Sequence, residues 1–478
     1  MTAPHIVWFR RDQRLADQPA LAAACAAGPV IPVYVLDDET PAEGDDDRRI
    51  GGAQRWWLHH SLGSVAADLK ARGSRLILRR GRAADVLARL AEETGAAAVH
   101  AVQHWEPWWG RAEDKLAERL DLRLTPGNYL HAIGSVATGA GQPYRIYTPF
   151  WRALQEQLPP PEPTPAPERI PAPEHWPQSE ALNDWNLVPT APDWAGGFRE
   201  TWQPGEAGAA RRLASMAQRI GDYSECRNHP SADATSRLSP HLHMGDISAA
   251  TVFHAIDSAA DRVTTEVFRK ELAWRDFAQT LIAKLPDQGW AEANPRFPAD
   301  DLYRDLDDPE VQTELRRWQR GQTGYPIVDA GMRELWTTGW MHNRLRLLTA
   351  SFLTKHLLIE WQAGERWFWD ALCGADYGNN STNWQWVAGS GVDAAPFHRM
   401  MAPLSQSVKF DAAGYIRRWV PELAHLSDAD IHDPGDGVRP AGYPAKMIAH
   451  AAARERAMAT WKQARANAMG RVPAKAGA

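Results

Sequence analysis

Glu271, Trp274, Arg275 and Ala278 of the segment KELAWRDFA stand at i, i+3, i+4 and i+7, one stripe of a helix. An acid, an indole and a guanidinium on one face can hydrogen-bond to, stack on and pair with a polar aromatic ligand. The same residues are equally compatible with a Glu–Arg surface pair, worth about 0.2–0.5 kcal/mol, beside a core tryptophan. The stretch NNSTNWQW, residues 379–386, sets Trp384 and Trp386 two apart among amides and hydroxyls. Both are core filler, as a residue buried on average would be, or one indole faces a bound partner and the other faces the protein.

Three further segments carry polar chemistry. In DYSECRNHPSADATSRLSPHLHMGDIS, residues 222–248, Thr235, Ser236, Arg237 and Ser239 precede a proline-containing turn and a helix. Hydroxyls, backbone amides and a guanidinium at a helix start make an anion site, or simply a cluster of N-caps. In TGWMHNRLR, Asn343, Arg344 and Arg346 open a helix. Asn suits a base edge and Arg a phosphate; a buried amide with solvated arginines is the plainer alternative. In LIEWQAGERWFWDAL, Trp361, Trp367 and Trp369 read as core packing, and Asp376 precedes Asn380.

Composition narrows the setting. The chain has 23 Trp against 11 Phe and 10 Tyr. That excess favours what indole does specifically, which is to stack on flat rings or give up an electron. The net charge of −6 lends no bulk support to a nucleic-acid partner, so any such partner must be read locally. Three scattered cysteines, Cys25, Cys226 and Cys373, imply neither a disulfide framework nor a metal site. No apolar run approaches the roughly 20 residues of a membrane span. Charges follow the first short apolar run in MTAPHIVWFRRDQRL, which argues against a secretory signal and for the cytoplasm.

The elements that must position these residues fall into three regions. Over 1–135, short β-rich runs (HIVWF, VIPVYVL, SRLILRR, AAVHAVQ) alternate with helical stretches such as AQRWWLHHSLGSVAADLKA and AEDKLAERL. This predicts a doubly wound parallel sheet, without the GxGxxG or P-loop of an ordinary nucleotide site. Over 136–204 the proline-dense LPPPEPTPAPERIPAPEHWP predicts a long extended linker. From 205 to 478 the pattern is helical; RVTTEVFRKELAWRDFAQTLIAKL has apolar residues at Val263, Val267, Ala273, Trp274, Phe277, Leu281 and Leu285. No long tail is expected beyond the helical stretch 445–468.

Taken together, these segments resemble the DNA photolyase/cryptochrome family. WFRRDQRLADQPAL at the start is similar to that family's WFRxDLRLxDNxAL. DYSECR, TSRLSPHL, ELAWRDF, GYPIVDAGMRELWTTGWMHNRLR, LIEWQAGERWF, NNSTNWQW, DAAPFHRMMAP and KFDAAGYIRRWVPEL follow in family order over nearly the whole chain.

The resemblance implies an α/β antenna domain, a long linker and an all-α domain that binds FAD. It assigns Tyr223 and the run Thr235, Ser236, Arg237, Leu238 and Ser239 to the flavin's phosphates and ribityl chain. Asp376 goes to its ring or ribityl edge, and Gly374, Ala375 and Arg346 are also carried over as cofactor-binding. Asn380 is placed at flavin N5 as a neutral donor, the residue type found in photolyases rather than plant cryptochromes. The substrate it implies is DNA containing a cyclobutane pyrimidine dimer, extruded from the duplex; photolyases are a standard example of base flipping. Trp274 and Trp386 would flank the dimer, and Glu271 would bond its carbonyl and imide edge. Asn343 would bond a thymine, with Arg275 on the same side, and Arg227, Arg344 and Gln406 would position the backbone. The implied reaction is electron transfer from photoexcited reduced FAD, ring splitting and return of the electron, with no metal. Trp384 and Trp361 match the first two members of the family's electron-transfer chain.

Three departures from the family pattern carry expectations of their own. The region that usually supplies the third tryptophan reads DLYRDLDDPE, leaving Trp318, Trp336 and Trp340 as substitutes, each also readable as core. The acidic pair usual before the flavin asparagine is reduced to Asp376, leaving Arg346 one partner short. The N-terminal crevice, with the loop QHWEPWWGR, would hold an antenna, methenyltetrahydrofolate in preference to a deazaflavin. A six-four photolyase, which in relatives needs a His pair where this chain has Met341, His342 and Asn343, is the nearest rival. A cryptochrome-like photosensor is the second. A monomer without membrane attachment or obligate protein partner is expected.

Overall fold

The computed structural model describes residues 2–44 and 46–471. Its five strands, β1 (His5–Phe9), β2 (Val30–Leu36), β3 (Ile77–Arg80), β4 (Ala98–Val102) and β5 (Leu122–Thr125), form one sheet in the order β3-β2-β1-β4-β5. All pairings are parallel. β1, β2 and β4 are buried along their whole length, as continuous apolar runs are when helices cover both faces. β1 lies between β2 and β4, pairing His5 with Val30 on one side and Ala98 on the other. The chain order reverses there, so the carboxyl ends of β1 and β4 flank the crevice of a doubly wound sheet.

The proline-rich stretch runs extended along this sheet layer, with backbone bonds from Asp17 N to Thr164 O, Ile170 N to Arg72 O and Val30 N to Pro171 O. Ile170, Trp185 and Leu187 enter the core beside Val65, Leu69 and Leu76. Residues 136–204 also contain the Tyr147–Gln155 helix, whose Phe150, Trp151 and Leu154 are buried.

By contacts the chain forms two compact units. The first comprises residues 1–224, 235–287 and 373–379, and the second 225–234, 288–372 and 380–478. In the first, the Arg262–Ile282 helix is capped by Asp261, whose carboxylate accepts from Val263 N and Thr264 N at 2.9 Å. Its buried face carries Phe268, Leu272, Ala273, Phe277 and Leu281. Val263 is off that face, 85% exposed in the first turn, so the apolar spacing overreaches at that end.

The second unit is helical, with Pro326–Thr338, Asn343–Ser351, Trp361–Ala371, Pro403–Lys409 and His450–Arg471 among its helices. WMHNRLRLLTASFLTKHLL does not form one uniform helix. It begins at Asn343 and passes into a π-helical turn at Phe352–His356.

Candidate flavin and lesion site

In the first unit the Asp376 loop is held against the Thr235–Ser239 run. A Cβ on Gly374 would meet Pro240 Cα at 3.0 Å and the Ser239 carbonyl carbon at 3.1 Å; one on Gly378 would meet Gln279 Nε2 at 3.1 Å. Glycine at 374 and 378 is therefore what lets the loop sit so close. The Ser239–Met244 helix has Leu238 at its N-cap, and no side chain caps it. The hydroxyls of Thr235 and Ser236 are thus not spent as helix caps. Thr235, Ser236 and Arg237 are half-buried, Leu238 is buried and Ser239 is exposed. Arg237 has φ +51, a left-handed backbone that costs a non-glycine residue about 1–3 kcal/mol and clusters at ligand sites. Tyr223 is buried edge-on to Phe268.

Asp376 is buried and ligated by its own protein. Gln279 Nε2 donates to both oxygens at 3.2 Å, and Asn379 donates from its backbone N and from Nδ2 at 2.8 Å. Burial alone would raise this carboxyl. The His243 contact, the Arg275 charge and the Asn379 amide outweigh it and hold the group below the usual carboxylate range. His243 itself is drawn down to about 4, by burial first and then by Arg11. It is therefore neutral at pH 7, and the lasting support of Asp376 is the amides and Arg275.

Of the helical stripe, Glu271 and Trp274 are half-buried, and Trp274 has one face covered by Tyr147. Arg275 turns inward instead. Its Nη2 donates to Leu242 O at 3.1 Å and its Nη1 to Asn128 O at 3.5 Å, which makes it a brace within the unit. Ala278 is fully buried.

In the second unit the two indoles of NNSTNWQW part company. Trp384 is 2% exposed and Trp386 is half-buried. Trp384 packs edge-on to Phe368 and Trp318, at 5.0 and 6.2 Å between centroids. A Cβ on Gly364 would lie 2.2 Å from its ring. Trp361 is fully buried. Of the three substitutes for a third tryptophan, Trp318 is buried and touches Trp384, Trp340 is buried beside His342, and Trp336 is 55% exposed and stacked on Trp367.

Asn380 Nδ2 donates to Glu365 Oε1 at 2.8 Å and Glu365 O at 3.1 Å. Both neighbours are acceptors, so the amide can have only this orientation. In this orientation its oxygen is the end turned away from Glu365. Arg346 Nε donates to Met341 O at 2.8 Å. Loss of water draws its guanidinium down to about 10, against the pull of the Glu334 carboxylate. Glu334 is thus a buried acid whose charge acts on Arg346, which the sequence did not reveal; it accepts from Tyr415 Oη at 2.6 Å. Asn343 is exposed at the helix start, Arg227 is half-buried, and Arg344 Nη2 donates to Asn228 Oδ1 at 2.6 Å. Gln406 is half-buried on a short helix whose Leu404 and Val408 are exposed. His342 caps its helix by accepting from Arg344 N on Nδ1 at 3.2 Å, and burial brings it down to about 4.

Glu365 and Glu334 lie inside the quoted motifs GERWF and GMRELW. Nothing in their spacing marks them, because their importance depends on which buried amide or guanidinium they meet.

The crevice of the sheet is filled from within. Arg10, directly after β1, donates to Val102 O at the end of β4 and to Glu113 Oε1 at 2.6 Å. Its guanidinium carbon lies 4.2 Å from the Trp8 ring and 5.4 Å from the Trp109 ring. Arg10 thus ties the carboxyl ends of β1 and β4 to Glu113 and the Trp8 and Trp109 indoles. Among the described residues, no cluster of three or more His, Cys, Asp or Glu could hold a metal ion, and no helix is long and apolar enough to cross a membrane.

A doubly wound parallel-sheet domain followed by a helical region is the architecture of the photolyase/cryptochrome class. Residues 5–168 match DNA photolyase and residues 268–463 match the FAD binding domain of DNA photolyase. The chain belongs to the DNA photolyase family. It is 45% identical to a deoxyribodipyrimidine photo-lyase of Agrobacterium fabrum over 96% of this chain and 98% of that protein. Among solved structures, a bacterial class III photolyase from Agrobacterium tumefaciens matches with a TM-score of 0.90 at 43% identity, over 98% of both chains. An archaeal photolyase from Sulfolobus tokodaii, solved with two FAD molecules, matches at 0.80 and 26% identity, over 96% of this chain and 100% of that one.

Proposed function

We propose that this chain is a light-driven deoxyribodipyrimidine photo-lyase that repairs cyclobutane pyrimidine dimers in DNA with bound FAD. The observation that carries the reading is the division of labour in NNSTNWQW: Trp384 is sealed inward, Trp386 is left half-open, and Asn380 is held by Glu365.

The residues fit FAD. In the first unit Tyr223, the run Thr235 to Ser239, and the loop Gly374, Ala375 and Asp376 supply hydroxyls, amides and one carboxylate. In the second, Arg346 and Asn380 supply a guanidinium and a fixed amide oxygen. When bound, FAD in its reduced form supplies the photoexcitable electron donor for ring splitting. Asn380, its amide oriented by Glu365, would offer a neutral side chain to bound FAD. Trp384 and Trp361 are packed to lose an electron without moving, and Trp318 is the neighbour best placed to follow Trp384.

On the lesion side, Trp274 and Trp386 each offer an indole for stacking, worth roughly 1–3 kcal/mol per base, and Glu271 offers a carboxylate to the pyrimidine edge. Asn343 serves a base, while Arg227, Arg344 and Gln406 serve the backbone. Arg275 acts from behind, through the carbonyls it braces. The antenna, linker and catalytic domains are assigned to 1–135, 136–204 and 205–478. The working state is a monomer in the cytoplasm, where its DNA substrate lies. A second, light-harvesting chromophore, methenyltetrahydrofolate in preference to a deazaflavin, is part of the same reading; the archaeal relative solved with two FAD molecules supports an antenna of some kind. The six-four alternative is disfavoured by His342, a buried neutral helix cap rather than an exposed acid.

The test is blue-light repair of an oligonucleotide carrying one cyclobutane thymine dimer by the reduced, FAD-loaded protein. Light-dependent return of intact thymines, reduced at least tenfold by Trp386→Ala or Glu271→Ala, supports the reading. FAD bound and photoreducible but no repair would overturn it in favour of a photosensor.

A further inference from the structure

We propose that Tyr147 is a positioning residue for lesion recognition: it backs the Trp274 indole and fixes the plane on which the extruded pyrimidine dimer stacks. The proposal rests on the reading of Trp274 as a lesion-facing residue.

The two rings are parallel, with centroids 3.7 Å apart and planes 7° apart. Their neighbours meet differently. Phe277 lies edge-on to both, at 77° to Tyr147 and 80° to Trp274, and Phe150 meets Phe277 at 52°. Ordinary core packing therefore prevails around the pair, while the pair itself is a face-to-face stack. The stack is also asymmetric in exposure. Tyr147 is 8% exposed, whereas Trp274 is half-buried, so the inner ring is the tyrosine and the open side belongs to the indole.

Tyr147 is itself tied down. Its hydroxyl donates to Lys270 O at 2.7 Å, the carbonyl one turn before Trp274 on the same helix. Its ring therefore keeps register with the backbone that carries the indole. The phenol also senses the Glu271 carboxylate, a smaller influence than burial, which pushes it up. One residue of the Tyr147–Gln155 helix thus stacks on Trp274 and lies within electrostatic range of Glu271. An indole with one face already covered has fewer orientations to lose when a ligand covers the other, and such preorganisation appears directly in affinity. No part of this role requires Tyr147 to touch DNA or flavin.

The experiment uses the full-length FAD-loaded protein and compares wild type with Tyr147→Leu, Tyr147→Phe and Trp274→Ala. Dark binding is measured on an oligonucleotide with one thymine dimer and on the undamaged duplex, and the repair yield per bound lesion is measured under light. Tyr147→Leu is expected to weaken dimer binding about fivefold, the scale of ordering one side chain. Undamaged-duplex binding, flavin absorbance and yield per bound lesion should stay within twofold. Tyr147→Phe, which keeps the stacked ring and loses only the Lys270 bond, should recover most of the dimer binding, and Tyr147→Leu should add nothing on top of Trp274→Ala. Wild-type dimer binding by Tyr147→Leu while Trp274→Ala loses it would overturn the proposal and leave the repair reading standing. So would equal losses on damaged and undamaged DNA, which mark a merely structural role. Unchanged dimer binding by Trp274→Ala would remove the assignment of Trp274, and the proposal with it.

Discussion

Asn380 Nδ2 sits 2.8 Å from the Glu365 carboxylate and 3.1 Å from the Glu365 carbonyl. A primary amide facing two acceptors has no freedom to flip, so the buried Glu365 fixes the orientation of the Asn380 side chain. A neutral residue is required at 380 as much by this neighbour as by any cofactor.

Asn380→Asp should therefore be costly in a pH-dependent way. Two buried carboxylates at this distance cannot both ionise, so one pKa is forced up. A group with a raised folded pKa stabilises below its unfolded pKa and loses that contribution as pH rises. The variant is expected to be less stable than wild type by about 2 kcal/mol or more at pH 8, with a smaller deficit at pH 5.5. Urea unfolding at both pH values checks this, and an equal deficit at both would contradict it.

Gly364→Ala places a methyl 2.2 Å from Trp384 and 2.6 Å from Leu353. Overpacking of this kind costs about 1–3 kcal/mol, and Trp384 must shift. Photoreduction of the oxidised flavin is expected to slow severalfold, while enzyme reduced chemically beforehand repairs DNA at near the normal rate. Transient absorption and steady-state repair measure the two separately.

Acid should destabilise the fold before its carboxylates titrate. His100, His243 and His342 are buried, and burial, the first cause in each, draws each to about 4. An unfolded histidine titrates near 6.5, so below that pH the unfolded chain binds more protons. The stability is fully present above about pH 6.5 and is lost as pH falls toward 4. The melting temperature should drop by roughly 5 °C or more between pH 7.5 and 5. His342→Asn, which keeps a capping acceptor, should flatten part of that slope; a level profile in wild type would refute the account.

Arg10→Met should cost about 3–5 kcal/mol, the penalty for stranding one member of a buried ion pair, here Glu113. Chemical denaturation measures it. The flavin spectrum of the folded variant is expected to be unchanged.

Much of this was legible from residue order, for reasons that differ by element. The strands were visible because parallel strands covered on both faces must be continuous apolar runs, as HIVWF and VIPVYVL are. The separate fates of Trp384 and Trp386 were open to inference because amides and hydroxyls surround them. The roles of Glu365, Glu334, Tyr147 and Arg10 were not legible. Each depends on one partner: Glu365 and Asn380 lie 15 residues apart, while Arg10 and Glu113 lie 103 apart. A periodicity argument sees a face, whereas these contacts are pairings between faces. The bonds from Arg275 to the Leu242 and Asn128 carbonyls were not legible for the same reason, since helical spacing gives direction but not the carbonyls waiting there.

The first compact unit is not complete until residues 373–379 join it, although most of it lies before residue 288. A ribosome moving from the N-terminus therefore releases the sheet long before the Asp376 loop that belongs with it. At about 5–20 residues per second, the stretch from 288 to 372 imposes a wait of several seconds to over ten. During that wait the nascent first unit lacks its Asp376 loop. Expression of the N-terminal half alone should accordingly yield a product that leans on chaperones, and slowing translation across 288–372 should lengthen that dependence.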